Sequence, residues 1–174
     1  MAKRFWEDRM NSYVKKLTLL SVLLSLAMIF SFVESQIPPL SAVPGVKIGL
    51  ANIVCVFTIY RVGAKEAIAI SLIRVLLCAL LFGSFVSMLY SLSGAAVSFL
   101  VMLILKKIDI FSEIGVSILG AVFHNIAQVV CACIVMGTAS ISLYLPVLIV
   151  SGVVSGLIIG LVAGVVINRF NNEK

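Results

Sequence analysis

Apolar residues in this chain fall into six long runs: Leu17–Val33, Val46–Tyr60, Ala64–Phe82, Phe85–Leu105, Ile114–Met136 and Leu143–Ile167. A helix needs ~20 apolar residues to cross a bilayer, so these runs predict membrane-spanning helices. The second and third are short, and Arg61-Val62-Gly63-Ala64-Lys65 separates them as a charged turn rather than letting them fuse into one helix. The first run exceeds the ~7–15 residues of a signal-peptide core, and no small-residue cleavage site follows it, so it is expected to be a retained span. The expectation is an all-α, polytopic membrane protein. Six transmembrane helices occupy residues 17–168, between an N-terminal tail at 1–16 and a C-terminal tail at 169–174.

Composition agrees. The 174 residues are 62% hydrophobic and 11% charged, where soluble domains carry about 25% charged residues. Mean hydropathy is +1.24. The net charge of +6 would suit nucleic acid if it lay on one soluble face, but the basic residues cluster at helix ends, where they act as topology signals. Lys3, Arg4, Arg9, Lys15 and Lys16 precede the first span, Arg61 and Lys65 follow the second, Lys106 and Lys107 follow the fourth, and Arg169 and Lys174 end the chain. With six spans all of these lie on one side, against Lys47 alone on the other, so both termini are expected to be cytoplasmic. The partners expected are membrane lipid and a small molecule, not nucleic acid.

The first outer loop, Glu34 to Gly45, holds Pro38, Pro39 and Pro44. Proline lacks an N–H and disfavours helix before it, so this loop is irregular and placed to cover something. The last span carries Gly152, Gly156, Gly160 and Gly164, a small-residue stripe at helical spacing that suits close packing within the bundle or a partner interface. Ser84, Ser87, Ser91 and Ser98 in the fourth span suit either helix packing or a polar cavity wall. Ser21 and Ser25 form a weaker stripe in the first. Cys55, Cys78, Cys131 and Cys133 lie in apolar runs without a C-x-x-C pair or a histidine cluster, and read as small buried residues.

Polar side chains inside the spans are costly, and they carry the candidate chemistry. Arg74 stands mid-span with Ala67, Ser71 and Cys78 on its face. It either binds backbone carbonyls or Glu66, or offers its planar fork to a carboxylate or phosphate. His124, Asn125 and Gln128 cluster within one turn of the fifth span, either as interhelical hydrogen bonds or as ligand contacts. Lys47 and Asn52 lie at the outer end of the second span, where Lys47 can also snorkel to the interface. Glu34, at the end of the first span, is placed to pair with Lys47 or Arg74. One histidine is a poor zinc site, and no metal or cofactor is implied. The chain lacks a phosphate-binding G-x-x-x-x-G-K-[ST] loop, clustered carboxylates and a Ser-His-Asp set, so it does not read as an enzyme.

Taken in order, several segments carry a family resemblance: Pro44-Gly45-Val46-Lys47-Ile48-Gly49-Leu50-Ala51-Asn52, Arg74-Val75-Leu76-Leu77, Leu81-Phe82-Gly83-Ser84, Tyr90-Ser91-Leu92-Ser93-Gly94, Gly115–Ala121, His124-Asn125-Ile126-Ala127-Gln128 and Tyr144–Leu148. The chain resembles substrate-binding S components of energy-coupling factor (ECF) transporters. More narrowly, it resembles the family called heptaprenyl diphosphate synthase component I, or Gx transporters. The resemblance implies a non-enzymatic subunit that binds a small, anionic or cofactor-like molecule under its outer loops. Such a subunit docks on a scaffold membrane protein coupled to two ATPases, and topples to release its substrate inside. Docking in S components uses A-x-x-x-A on the first helix; the nearest match here is Ser21-x-x-x-Ser25. The alternative is a non-catalytic membrane subunit of a prenyl diphosphate or quinone synthesis or electron-transfer assembly. Prenyl synthases carry two aspartate-rich motifs, and this chain has neither.

Overall fold

The computed structural model describes the backbone of residues 2–36 and 49–171, with side chains for 13–36, 49–167 and 169. Lys47 and the proline-rich loop lie outside the described residues. Six α-helices follow one another: α1 (Ala2–Gln36), α2 (Asn52–Arg61), α3 (Ala64–Phe82), α4 (Phe85–Ile108), α5 (Glu113–Met136) and α6 (Leu145–Asn171), with a 3-10 turn at Ala139–Tyr144. Among the described residues, four segments are long and apolar enough to cross a membrane: Tyr13–Gln36, Phe85–Ile108, Glu113–Met136 and Ala139–Ile167. The helix α3 is comparable in length, at 19 residues, but carries Lys65, Glu66 and Arg74.

The second apolar run differs from its sequence expectation at its start. It becomes α-helical at Asn52 rather than Val46, because Gly49 adopts φ +80°, a left-handed conformation that a helix cannot continue through. The Gly49 carbonyl instead accepts the Asn52 N–H at 2.8 Å. The resulting ten-residue α2 is about 15 Å long, half the ~30 Å hydrocarbon thickness. The other ends follow local chemistry. Ser84 and Ser112 cap α4 and α5 by accepting the N–H of Ser87 and Gly115, and left-handed Asp109 and Gly137 close the same two helices.

Side-chain contacts give the helix directions. Lys16 pairs with Glu66 at 2.5 Å, Arg74 reaches Ser31 and Phe32 packs edge-on against Phe82, so α1 and α3 run parallel. Lys106, at the end of α4, donates to the Ile59 carbonyl at 2.5 Å and sits 4.8 Å above the Tyr60 ring, which brings the ends of α2 and α4 together. The basic loops thus share one end of the bundle, the end that the positive-inside expectation makes cytoplasmic. The helices α2 to α6 close a circuit, and α1 packs outside it on α2 and α3.

The apolar core fills the cytoplasmic half. Val56, Ile59, Ala67, Phe99, Met102, Val116, Ile159, Ala163 and Ile167 form one buried cluster drawn from all five circuit helices. A smaller one, Leu23, Ala27, Val54 and Ile70, fastens α1. The outward surface is rich in exposed Leu, Ile, Val and Phe, as lipid requires.

Most of the glycine stripe packs against α5. A Cβ on Gly156 would lie 2.5 Å from the Ile118 Cα, and one on Gly160 2.7 Å from the Ile114 Cα, whereas one on Gly164 would meet nothing within 4 Å. Gly156→Ala is therefore expected to destabilise the bundle by about 1–3 kcal/mol through overpacking, and Gly164→Ala to leave it unchanged. Thermal unfolding midpoints of the two variants in one detergent check this.

Candidate functional site

The outer half of the bundle is hollow. A cavity of about 250 Å³ is bounded by the end of α1 (Ser31, Glu34, Ser35), the start of α2 (Gly49, Asn52), the outer half of α3, the first turns of α4 (Ser87, Met88, Ser91) and His124 and Gln128 of α5. Four of the residues singled out from sequence, Asn52, Arg74, His124 and Gln128, converge on it. His124 and Gln128 share a face of α5 because they are four residues apart, and both are buried.

Each polar group is positioned by a local reason. Arg74 donates from Nη1 to Ser31 Oγ at 3.2 Å; Glu66 pairs with Lys16 instead. Glu34 is buried, and its carboxylate accepts the Gly49 N–H. That bond fixes the left-handed glycine, whose carbonyl then starts the turn into α2 and sets Asn52 at the cavity edge. Gly94 of α4 makes room for the α5 pair: a Cβ there would lie 2.8 Å from His124 Nε2 and 2.9 Å from Gln128 Cγ. Val75, Cys78, Ala79 and Phe82 supply an apolar wall on α3. Cys78 Sγ lies 3.7 Å from Met28 Sδ. The four cysteines are free thiols and only half-buried, less buried than expected. No group of three or more metal-ligating side chains occurs among the described residues.

Not every expected site residue is gathered here. Asn125 turns away to α6, where Nδ2 donates to the Leu148 carbonyl at 2.8 Å and sits 3.1 Å from where a Gly152 Cβ would be. Lys47 lies outside the described residues. Ser21 and Ser25 are exposed on α1, with Ser25 Oγ turned back on the Ser21 carbonyl at 2.9 Å. The serine series of α4 divides: Ser84 caps the helix, Ser87 and Ser91 face the cavity, and Ser98 is buried. The polar α1 side chains of the cavity, Ser31, Glu34 and Ser35, are among those that sequence reasoning did not assign to it. A buried carboxylate closing an apolar run was the available signal.

The family model described as heptaprenyl diphosphate synthase component I matches residues 23–166, and the chain belongs to that family. A solved structure of the S component of a bacterial ECF transporter is similar with a TM-score of 0.65 and 20% identity, over 92% of this chain and 97% of that one. That likeness establishes the fold, a multi-pass membrane bundle. No curated protein matches the chain by sequence.

The Gly49 turn yields a test. Alanine at φ +80° costs about 1–2 kcal/mol, and its Cβ would meet Asn52 Nδ2 at 3.0 Å. Gly49→Ala is expected to lower the unfolding midpoint and to speed amide exchange at Asn52 and Ile53 ahead of the rest of α2. Hydrogen-exchange mass spectrometry reads both.

Proposed function

We propose that this member of the heptaprenyl diphosphate synthase component I family is the substrate-binding subunit of a membrane uptake system. It takes up a small anionic or cofactor-like molecule from the outer face and is energised by a scaffold membrane protein with two ATPases. The observation that carries the reading is the convergence of Arg74, Asn52, His124 and Gln128 on one cavity, at the end of the bundle opposite the basic loops. The likeness to an S component, over nearly the whole of both chains, supports it.

The roles follow from the geometry. Arg74 supplies the charge-assisted contact for the anion, and Ser31 orients its guanidinium. Asn52, His124 and Gln128 offer donors and acceptors to the rest of the ligand, and Phe82, Val75 and Met88 cover its apolar part. Lys47, two residues before Gly49, is proposed as a second cation for the anion. Asn125 serves the site through packing, by holding α5 against α6. The apolar core beneath closes the inward path, so release requires the bundle to move rather than the ligand to pass through. The exposed Ser21 and Ser25 face of α1 is the proposed docking surface for the scaffold.

The family's description favours a second reading, a non-catalytic membrane subunit of a prenyl diphosphate, quinone or electron-transfer assembly. Partner recovery separates the two: ATPases and a scaffold with the first, prenyl-synthase or redox proteins without ATPases with the second.

Two outcomes are expected. Arg74→Ala loses copurifying small molecules, read by mass spectrometry of the detergent-purified protein, while remaining membrane-inserted. Retention equal to wild type would remove Arg74 from the site. Ser21→Leu with Ser25→Leu keeps the small molecule and loses the ATPases in affinity purification; unchanged recovery would move docking to another face.

A further inference from the structure

Resting on the reading of the cavity as a ligand site, we propose that the hydroxyls of Ser87 and Ser91 on α4 form a second binding wall. The molecule they select is an anion with a further hydrogen-bonding group about one helical turn, ~5–6 Å, from its charged end. Ser91 shares the charged end with Arg74, and Ser87 bonds the further group.

The two hydroxyls are uncommitted. In a helix a serine or threonine can satisfy its hydroxyl on a backbone carbonyl three or four residues back. Ser25, Thr58 and Ser93 do so, bonding the Ser21, Val54 and Tyr90 carbonyls at 2.9, 2.6 and 2.9 Å. Ser87 and Ser91 line the cavity, and among the described residues neither hydroxyl has a hydrogen-bond partner. Ser93, two residues on, is turned to the backbone and does not line the cavity. Tyr90 is buried, and its hydroxyl also lacks a partner among the described residues. A buried hydroxyl left so is costly, so this stretch of α4 carries unmet hydrogen-bonding capacity.

Their level fits an anion held by Arg74. The helices α3 and α4 are packed neighbours joined through Gly83 and Ser84, so residue distance from that turn measures depth in both. Arg74 is nine residues before Gly83, Ser91 seven after Ser84 and Ser87 three after it. At ~1.5 Å per residue the three lie about 13, 10 and 5 Å from the turn. Arg74 and Ser91 thus stand near one level, with Ser87 one turn nearer the outer end. Ser87, Ser91 and Gly94 follow at helical spacing on one face, and Gly94 is where His124 and Gln128 meet α4. The hydroxyl row therefore continues into the polar pair of α5.

The chemistry is complementary. A guanidinium has five N–H donors and no acceptor, and Ser31 takes one of those of Arg74. A hydroxyl both donates and accepts. Ser91 adds a donor to an anion on the Arg74 fork, and Ser87 accepts from or donates to a hydroxyl, amide or carbonyl further along the molecule.

Two probes, 4-hydroxybenzoate and 4-methylbenzoate, test this on the full-length protein in detergent at ~pH 7, where both carry one ionised carboxylate and a neutral ring substituent. They share charge and shape and differ in one hydrogen-bonding group. Calorimetry or ligand-observed NMR reads equilibrium binding. The hydroxy acid is expected to bind about three- to tenfold tighter, the worth of one net hydrogen bond. Ser87→Ala is expected to bring that ratio near one by weakening the hydroxy acid alone. Ser91→Ala is expected to weaken both acids about tenfold, since its partner is charged. Ser93→Ala, which removes a back-bonded hydroxyl, is expected to change neither. A wild-type ratio near one, a ratio unmoved by Ser87→Ala, wild-type affinities in Ser91→Ala, or equal losses in Ser93→Ala overturn the proposal. Binding of neither acid by wild type overturns it too. The cavity as a ligand site is judged separately: it fails if Arg74→Ala retains its copurifying small molecules, and stands if they are lost.

Discussion

Hydrocarbon offers no water, so each polar group placed in it must find its partner inside the protein. The two halves of this bundle meet that constraint differently. The half at the basic end closes around Ile59, Phe99, Val116 and Ile159 and buries among them only small hydroxyls, those of Thr58, Ser98 and Ser117. The outer half concentrates them. Arg74 is held by Ser31, Glu34 by the Gly49 amide and Asn125 by the Leu148 carbonyl. A polar hollow above an apolar plug results from this segregation. The orientation set by the basic loops makes the hollow the outer end.

The helix α5 carries the cavity's buried amide and imidazole, and backbone contact on two sides holds it in place. On one side the stripe of α6 lets Gly152, Gly156 and Gly160 approach within van der Waals distance of the α5 backbone or its side chains. On the other, Gly94 of α4 admits His124 and Gln128, and Gly120 of α5 admits Met102. Glycine here replaces the hydrophobic driving force that is missing between helices in lipid, since close approach maximises dispersion contacts. Asn125, with its amide committed to α6, belongs to the same clamp. The three polar residues that the sequence puts in one turn therefore divide by face, two toward the cavity and one toward the packing seam.

Much of this was legible in the sequence, because the bilayer imposes simple rules. Run length marked α3 at its observed bounds, Ala64–Phe82, and the basic loops expected on one side do gather at one end of the bundle. The cost of burial marked Arg74, His124 and Gln128 as inward-facing. What was not legible depends on one backbone torsion or on a direction around a helix. Gly49 reads as part of an apolar run until its left-handed φ shortens α2. Glu34 reads as a span-ending carboxylate, and nothing in the sequence points to the backbone amide fifteen residues away that its carboxylate accepts. Asn125 is one residue from His124, and only the rotation of α5 against α6 separates their roles. The four cysteines were expected to be buried because their neighbours are apolar. In a membrane bundle, apolar residues face lipid as readily as core, so composition does not decide burial.

The helix α1 joins these features. It is 35 residues long and lies outside the circuit of the other five. A small cluster around Leu23 and Ala27, the Lys16–Glu66 pair and the contacts of its outer end hold it there. An exposed surface pair such as Lys16–Glu66 contributes only ~0–1 kcal/mol, so the apolar cluster and the outer contacts hold the helix. Two of those contacts, Ser31 on Arg74 and Glu34 on Gly49, belong to the cavity wall, and Phe32 packs on the wall residue Phe82 from outside. Ser31 accepts one of the five guanidinium donors of Arg74, so Arg74 ties the cavity to α1, the helix that also carries the exposed Ser21–Ser25 face.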